Sequence, residues 1–123
     1  MRHIESEIQK TCVKWFTLQF PDLRPVLFAV GNGGARNRVE AAIMKGEGVT
    51  AGVADVLFLY PNGTHHGMCI EFKTSSGRQS DSQKLFARNV EKHGYKYIIV
   101  RSVEQFIDEM KSYIYDNTTA KNR

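Results

Sequence analysis

The sequence contains few of the residues that mark disulfide-rich or zinc-binding proteins. It has only two cysteines, Cys12 and Cys69, and no Cys-x-x-Cys pair or Cys/His spacing of the zinc type. Both cysteines lie among apolar residues, which predicts small buried side chains in a reducing compartment. The four histidines are scattered, and the adjacent His65 and His66 fall in a predicted turn. That placement favours a solvated loop over a metal site.

Long apolar runs are also lacking. No segment approaches the length that crosses a membrane, and the charged first ten residues contain no apolar signal core. We therefore expect a cytoplasmic protein with no membrane partner. The hydrophobic fraction of 41% and the charged fraction of 24% are ordinary for a globular domain. The net charge of +4 permits a polyanionic partner but does not demonstrate one.

Helical and strand patterns alternate along the chain. The four predicted helices cover residues 4–19, 35–46, 82–93 and 103–115. The four predicted strands cover residues 26–30, 55–60, 68–73 and 95–100. The middle two strands flank a segment with an Asn-Gly pair, which predicts a hairpin. This order predicts a mixed β-sheet flanked by α-helices, in one domain over residues 1–116 with a polar tail at 117–123.

The third predicted helix has clear local signals. Ser80 or Asp81 can cap its N-terminus, because both side chains accept hydrogen bonds from backbone N–H groups. Its apolar residues Leu85, Phe86 and Val90 are expected to face the interior.

The segment CIEFK, residues 69–73, places two charges on one face of a predicted strand. Glu71 and Lys73 are two residues apart and therefore project to the same side. Taken alone, they are most simply a solvated ion pair. In a hairpin centred near Gly63, however, opposed residue numbers sum to about 126, which places Asp55 opposite Glu71. If the register slips, Asp55 only opens its strand near solvent.

Two facing carboxylates repel each other, and a divalent cation between them reverses the sign of that interaction. Mg²⁺ takes oxygen ligands and often uses one or two carboxylates together with substrate phosphate. The ammonium of Lys73 can orient a water molecule and stabilise charge that develops on a phosphate. Asp55, Glu71 and Lys73 together therefore predict a metal-dependent site for phosphate chemistry.

The order D-x(15)-E-x-K on a hairpin resembles the catalytic core of the PD-(D/E)XK nuclease superfamily. The wider pattern is similar to one branch, the virus-type replication-repair nuclease (VRR-NUC) domains. Further matching segments are ESEIQ at 5–9, GNGG at 31–34, GVTAGVAD at 48–55, Gln83 and GY at 94–95. The resemblance covers roughly residues 3–107. Ala54 stands where the family commonly has a proline, a departure that removes a fixed backbone angle but no ligand.

The resemblance implies a restriction-endonuclease-like α/β core and a DNA endonuclease that depends on Mg²⁺ or Mn²⁺, without a small-molecule cofactor. It implies that Asp55 and Glu71 are metal ligands and that Lys73 is the catalytic lysine. The backbone oxygen of Phe72 is implied as a further ligand. Gln83 is implied as a supporting glutamine near the lysine.

The resemblance also implies an acidic residue in the first helix, and two glutamates compete for the role. We assign Glu5, because Glu5 and Gln9 are four residues apart and share one helix face. Glu7 is the alternative, and it points about 200° away from Glu5. Both could instead only complement the helix dipole in the first turn.

Four basic residues are candidates for phosphate contacts: Arg36, Arg38, Lys45 and Arg78. A solvated basic surface is an equally good interpretation of them. The resemblance implies a substrate of branched, flapped or four-way-junction DNA in replication, repair or recombination, in a phage or a bacterial host.

A chain this small has little surface for a branched substrate, so we expect a homodimer. Ile107, Met110 and Tyr113 of the last helix are one candidate interface, with packing inside the subunit as the alternative. Two other functions stay open at this point. One is a non-catalytic nucleic-acid-binding module with the same fold. The other is a structural protein in which Glu71 and Lys73 form a surface ion pair.

Overall fold

A computed structural model describes residues 2–31 and 37–116 of the chain. Its helices are α1 (Arg2–Gln19), α2 (Arg38–Gly46), α3 (Asp81–Lys92) and α4 (Val103–Ile114). Its strands are β1 (Leu27–Ala29), β2 (Val56–Phe58), β3 (Met68–Phe72) and β4 (Lys96–Val100). The predicted order of helices and strands is confirmed, with a short 3₁₀ turn added before β1. Every helix in the described part of the chain is too short or too polar to cross a membrane.

The sheet is mixed, as predicted, and its strands lie in the order β1-β2-β3-β4. β2 pairs antiparallel with both β1 and β3, whereas β3 and β4 are parallel. Val56 lies opposite Ile70, so the residue numbers of the β2–β3 pair sum to the predicted 126. β3 is central, and all five of its residues are buried. Helices therefore cover it on both faces, which explains its nearly continuous apolar sequence.

The main core lies between one face of the sheet and helices α1 and α4. Its members from β3 are Met68, Ile70 and Phe72, because alternate residues of a strand share a face. α1 and α4 contribute the buried side chains Cys12, Phe16, Phe106, Met110 and Tyr113. Burial of each large side chain stabilises the fold by about 1.5–3 kcal/mol before entropy is counted. Met110 and Tyr113 are thus packed inside the subunit, and the proposed dimer interface on the last helix is wrong.

Both cysteines are buried, as the sequence predicted. Burial raises the pKa of Cys12 to about 12 and that of Cys69 to about 11. Both thiols therefore stay protonated at neutral pH and act as small apolar side chains.

α3 covers the other face of the sheet, and one expectation about it is wrong. Phe86 and Val90 are half-buried, and Phe86 meets Tyr97 of β4 edge to face at 6.3 Å. Leu85 is 54% exposed. Leu85 is exposed because it lies on the side of the helix away from the row that carries Phe86, Val90 and the buried Ala87.

The connection between β2 and β3 is longer than a tight hairpin turn. The strands end at Phe58 and resume at Met68. The side chain of Asn62 accepts hydrogen bonds from the N–H groups of Thr64 and His65, at 2.9 and 2.7 Å. A two-residue type I′ turn needs a positive φ angle at both central residues, and the φ angle of Asn62 is not positive. The predicted register is therefore kept by a loop that the Asn62 side chain organises.

α2 differs from the other helices because none of its described side chains is buried. It begins at Arg38, after Asn37, whose side chain accepts a hydrogen bond from the N–H of Glu40 at 2.8 Å. The predicted start at residue 35 lies outside the described residues. The apolar side chains of Val39 and Ile43 are 68% and 56% exposed.

Gly52 has a φ of +84° and lies directly against the first turn of α3. A Cβ at this position would collide with the backbone carbonyl of Ser82. The loop that leads into β2 can approach α3 this closely only because residue 52 has no side chain.

We predict that Gly52→Ala lowers the free energy of unfolding by about 2–4 kcal/mol, because it combines a strained backbone with a steric collision. Gly48→Ala is the matched control. Gly48 also has a positive φ, of +104°, but an added Cβ would meet nothing within 4 Å. Its loss should stay near 1 kcal/mol. Urea unfolding of both variants measures the difference, and equal losses would contradict the contact with α3.

Candidate active site

Asp55 directly precedes β2, and two hydrogen bonds fix its position. Its backbone carbonyl accepts from the N–H of Val30, at 2.8 Å, and its Oδ2 accepts from the N–H of Phe72, at 2.7 Å. The second bond ties the carboxylate to the neighbouring strand β3. Because the β2–β3 register continues by one step, Asp55 faces Glu71, as the sequence predicted.

Glu71 is 2% exposed and lies on the face of β3 that α3 covers. Its Oε2 accepts a hydrogen bond from Nε2 of Gln83 at 2.9 Å, and its Oε1 accepts a longer one from the Tyr97 hydroxyl at 3.5 Å. Burial raises the pKa of Glu71 to about 8, and the charge of Asp55 and a hydrogen bond between the two carboxyl groups add to that rise. The charge of Lys73 opposes it. At neutral pH Glu71 is therefore mostly protonated, and the proton holds the two carboxyl groups together.

Gln83 has its amide orientation fixed by the start of α3. Its Oε1 accepts from the N–H of Ser80, at 2.9 Å, and the Ser80 hydroxyl accepts from the N–H of Gln83. This is a capping box, and it confirms Ser80 as the helix cap. With the oxygen engaged by the backbone, the NH₂ group faces Glu71. The sequence placed Gln83 near the lysine, whereas the structure places it against the carboxylate.

Tyr97 and Gln79 are parts of the site that the sequence reasoning missed. Tyr97 lies on β4, and its hydroxyl accepts a hydrogen bond from Nε2 of Gln79 at 3.2 Å while it donates to Glu71. Burial raises the pKa of Tyr97 to about 12, so the hydroxyl stays protonated as a donor. The only signal in the sequence is the strand period that puts Tyr97 on the face of α3.

Lys73 follows β3 and is half-buried. Its N–H donates to the carbonyl of Val100 at 3.0 Å, and its stem passes close to Gly77. Arg101 holds the loop beyond it, donating from Nη1 to the carbonyls of Thr74 and Gly77 at 2.6 and 2.7 Å. The loop after the lysine is therefore attached to the end of β4, which limits where the Lys73 ammonium can move.

A cleft of about 420 Å³ opens beside Asp55. Among the described residues it is lined by Glu5, Ser6, Gln9, Asp55 and Phe72. The structure thus brings Glu5 and Gln9 of α1 to the same cleft as Asp55. The choice of Glu5 as the acid of the first helix stays a prediction. Glu7 lies elsewhere on α1, where it pairs with Lys10 at 3.4 Å.

Of the predicted basic residues, the three that the structure describes do not line this cleft. Arg38 and Lys45 are exposed in the first and last turns of α2, and Arg78 is exposed in the loop after Lys73. Arg36 lies outside the described residues. Their role in binding DNA stays a prediction.

The oxygen atoms at the site suit a small hard cation. Within residues 2–31 and 37–116, no group of three Asp, Glu, His or Cys side chains could hold a metal ion, whereas Asp55 and Glu71 are two facing carboxyl groups that could hold one together with water. Mg²⁺ requires no more, because it keeps several waters and shares substrate phosphate. A cation at this place would replace the proton that Glu71 carries and would remove the repulsion between the two carboxylates.

We predict that the raised pKa of Glu71 makes the protein less stable as the pH rises. Its pKa is 4.5 in an unfolded chain and about 8 in the fold, so its stabilising contribution is full below pH 4.5 and is lost as the pH rises from 4.5 through 8. Without divalent metal, the free energy of unfolding should fall over this range by at most about 1.4 kcal/mol per pH unit.

The control for this prediction is Glu71→Gln, which keeps the shape and removes the titration. Chemical unfolding of both proteins between pH 5 and pH 9, in EDTA, measures the difference. Parallel curves for the two proteins would contradict the prediction.

Comparison with known proteins agrees with this geometry. The family model of the VRR-NUC domain matches residues 4–104 of the chain. A solved structure described as a VRR_NUC domain protein is similar to this fold with a TM-score of 0.78 and 25% sequence identity, over 89% of this chain and 87% of that chain. No curated protein matches the chain. Because the family model spans most of the sequence and the folds agree, the chain belongs to the VRR-NUC domain family.

Proposed function

We propose that the protein is a metal-dependent DNA endonuclease that hydrolyses phosphodiester bonds in branched, flapped or four-way-junction DNA. Membership in the VRR-NUC family implies a nuclease-type function with DNA as the substrate. The single observation that carries the finer proposal is the contact between the carboxyl groups of Asp55 and Glu71, buried beside Lys73.

Burial of Glu71 opposite a second acid is unfavourable for a protein that only folds or binds. Removal of carboxylates from water costs free energy, and like charges directly opposite each other across a strand pair are destabilising. Such an arrangement is typical of a site in which a cation or a reacting group supplies the missing positive charge. The burial of Glu71 favours an enzyme over a structural protein with a surface ion pair.

Asp55 and Glu71 would hold the cation, with the backbone oxygen of Phe72 as a third candidate ligand. Bound Mg²⁺ or Mn²⁺ supplies positive charge to the phosphate and lowers the pKa of water. Gln83 holds the carboxyl group of Glu71 in place through its fixed amide. The ammonium of Lys73 can orient the attacking water and stabilise the charge that develops on the phosphate oxygens.

We predict that cleavage of labelled DNA requires Mg²⁺ or Mn²⁺ and stops in EDTA. Lys73→Ala should lower the rate about 10²–10³-fold, as expected for the loss of one group that stabilises developing charge. It should leave DNA binding largely intact. Lys92→Ala, an exposed lysine in the last turn of α3, is the matched control and should cleave at the normal rate.

Robust cleavage in EDTA, or normal turnover by Lys73→Ala, would contradict the mechanism. The alternative function, a non-catalytic nucleic-acid-binding module, predicts that the wild-type protein binds DNA in the same assay and does not cut it with either metal.

A homodimer and a branched substrate are the remaining parts of the proposal. The uncovered apolar side chains of α2, Val39 and Ile43, support a second copy as partner, because large apolar groups on one helix face are normally covered. A two-fold dimer would present two sites in opposite orientations, which suits the two strands of a junction.

We predict that the protein sediments as a dimer at micromolar concentration and that Ile43→Asp shifts it toward the monomer. Leu18→Asp is the control, because Leu18 is 73% exposed but lies on α1. The dimer should cut a four-way junction faster than a linear duplex of equal length. A wild-type monomer would contradict the dimer, and equal rates on the two substrates would contradict the preference for branched DNA.

A further inference from the structure

A second cavity lies along α1, next to the cleft that contains Asp55. It has a volume of about 440 Å³, and among the described residues it is lined by Ser6, Gln9, Lys10, Val13 and Lys14. Two of these side chains, Ser6 and Gln9, also line the first cleft. The two cavities therefore lie side by side along α1, and Ser6 and Gln9 border both. We call the cavity lined by these five residues the α1 groove.

We propose that the α1 groove binds the sugar–phosphate backbone of a DNA strand next to the bond that is cleaved, with Lys10 and Lys14 in contact with its phosphates. The inference rests on the proposed function, since it names the path of the substrate away from the same site.

The helix geometry gives the groove a direction and a length. Ser6, Lys10 and Lys14 follow each other at intervals of four residues, so they form one row along the helix surface. The row begins at the cleft, where Ser6 lines both cavities. Eight residues of helix span about 12 Å. Along the axis of a duplex each strand presents one phosphate about every 3.4 Å, so a row that lies parallel to that axis matches three or four nucleotides.

The two sides of the groove differ in chemistry. Gln9 and Val13 are half-buried and form its inner side, whereas Ser6, Lys10 and Lys14 are exposed at its outer edge. Hydroxyl and ammonium groups at an edge are the donors that commonly contact phosphates. The groove is therefore polar and cationic on the side that a backbone would touch.

Glu7 is an acidic neighbour that competes for the groove, because it pairs with Lys10 at 3.4 Å. Both side chains are about 70% exposed, and an exposed pair of this kind is held only weakly. A phosphate in the groove can therefore replace Glu7 as the partner of Lys10.

The test compares two double variants with the same change in net charge. Lys10→Ala with Lys14→Ala removes the charges of the groove. Lys92→Ala with Lys111→Ala removes two exposed lysines from the last turns of α3 and α4, outside the groove and the cleft. Binding of labelled junction DNA is measured in EDTA over a series of salt concentrations, and cleavage is measured separately with Mg²⁺.

Each phosphate contact contributes about 0.7–0.9 to the slope of log K against log salt concentration. The groove variant should therefore lose about 1.4–1.8 from the slope, whereas the distal variant keeps the wild-type slope. In the cleavage assay the groove variant should raise KM and leave kcat within about twofold, because it loses binding outside the reacting atoms.

An unchanged slope in the groove variant, or equal losses in both variants, overturns the inference even when the wild-type protein cuts DNA normally. A groove variant that loses the predicted slope while the wild-type protein binds but never cuts supports the groove and contradicts the endonuclease. A wild-type protein that does not bind DNA overturns both.

Discussion

The contact between the carboxyl groups of Asp55 and Glu71 is the constraint on which the rest of the site depends. Glu71 is buried opposite the half-buried Asp55, so its carboxyl group must be held by other protein groups because water cannot reach it. The antiparallel register brings them face to face, and the N–H of Phe72 fixes Asp55. Glu71 is fixed from the opposite side by Gln83 and Tyr97. The surrounding hydrogen bonds thus hold the two carboxyl groups in positions that they would not keep without these bonds.

The start of α3 contacts both Glu71 and the loop that carries Asp55. Its capping box orients the amide that holds Glu71, while its first turn receives the backbone of Gly52, three residues before Asp55. A side chain at residue 52 would displace the loop that carries Asp55 and the helix that carries Gln83 at the same time. The glycine in this loop is therefore a packing requirement of the site as well as a requirement of the backbone.

Local rules made part of this site predictable from sequence. The face-to-face placement of Asp55 and Glu71 could be predicted from the centre of one turn, because the residue numbers of antiparallel partners have a constant sum. Tyr97 could not be found in the same way, because it reaches the site through the parallel pairing of β3 with β4, which no turn specifies. The outward position of Leu85 and the positions of Lys10 and Lys14 near the cleft depend on how each helix is rotated about its own axis against the sheet. Helical period alone does not fix that rotation.

Gln83 also shows that neighbouring residues can favour glutamine over glutamate at a position where helix capping accepts either. Glutamate and glutamine serve equally well at the third position of a capping box, because either side-chain oxygen accepts from the backbone of the cap residue. Only glutamine also carries a donor that can turn toward a second oxygen, and here that oxygen belongs to Glu71. Glutamate would complete the helix cap and place a third acid against the pair. The carboxyl group of Glu71 therefore favours the amide at residue 83, even though helix capping would accept both residue types.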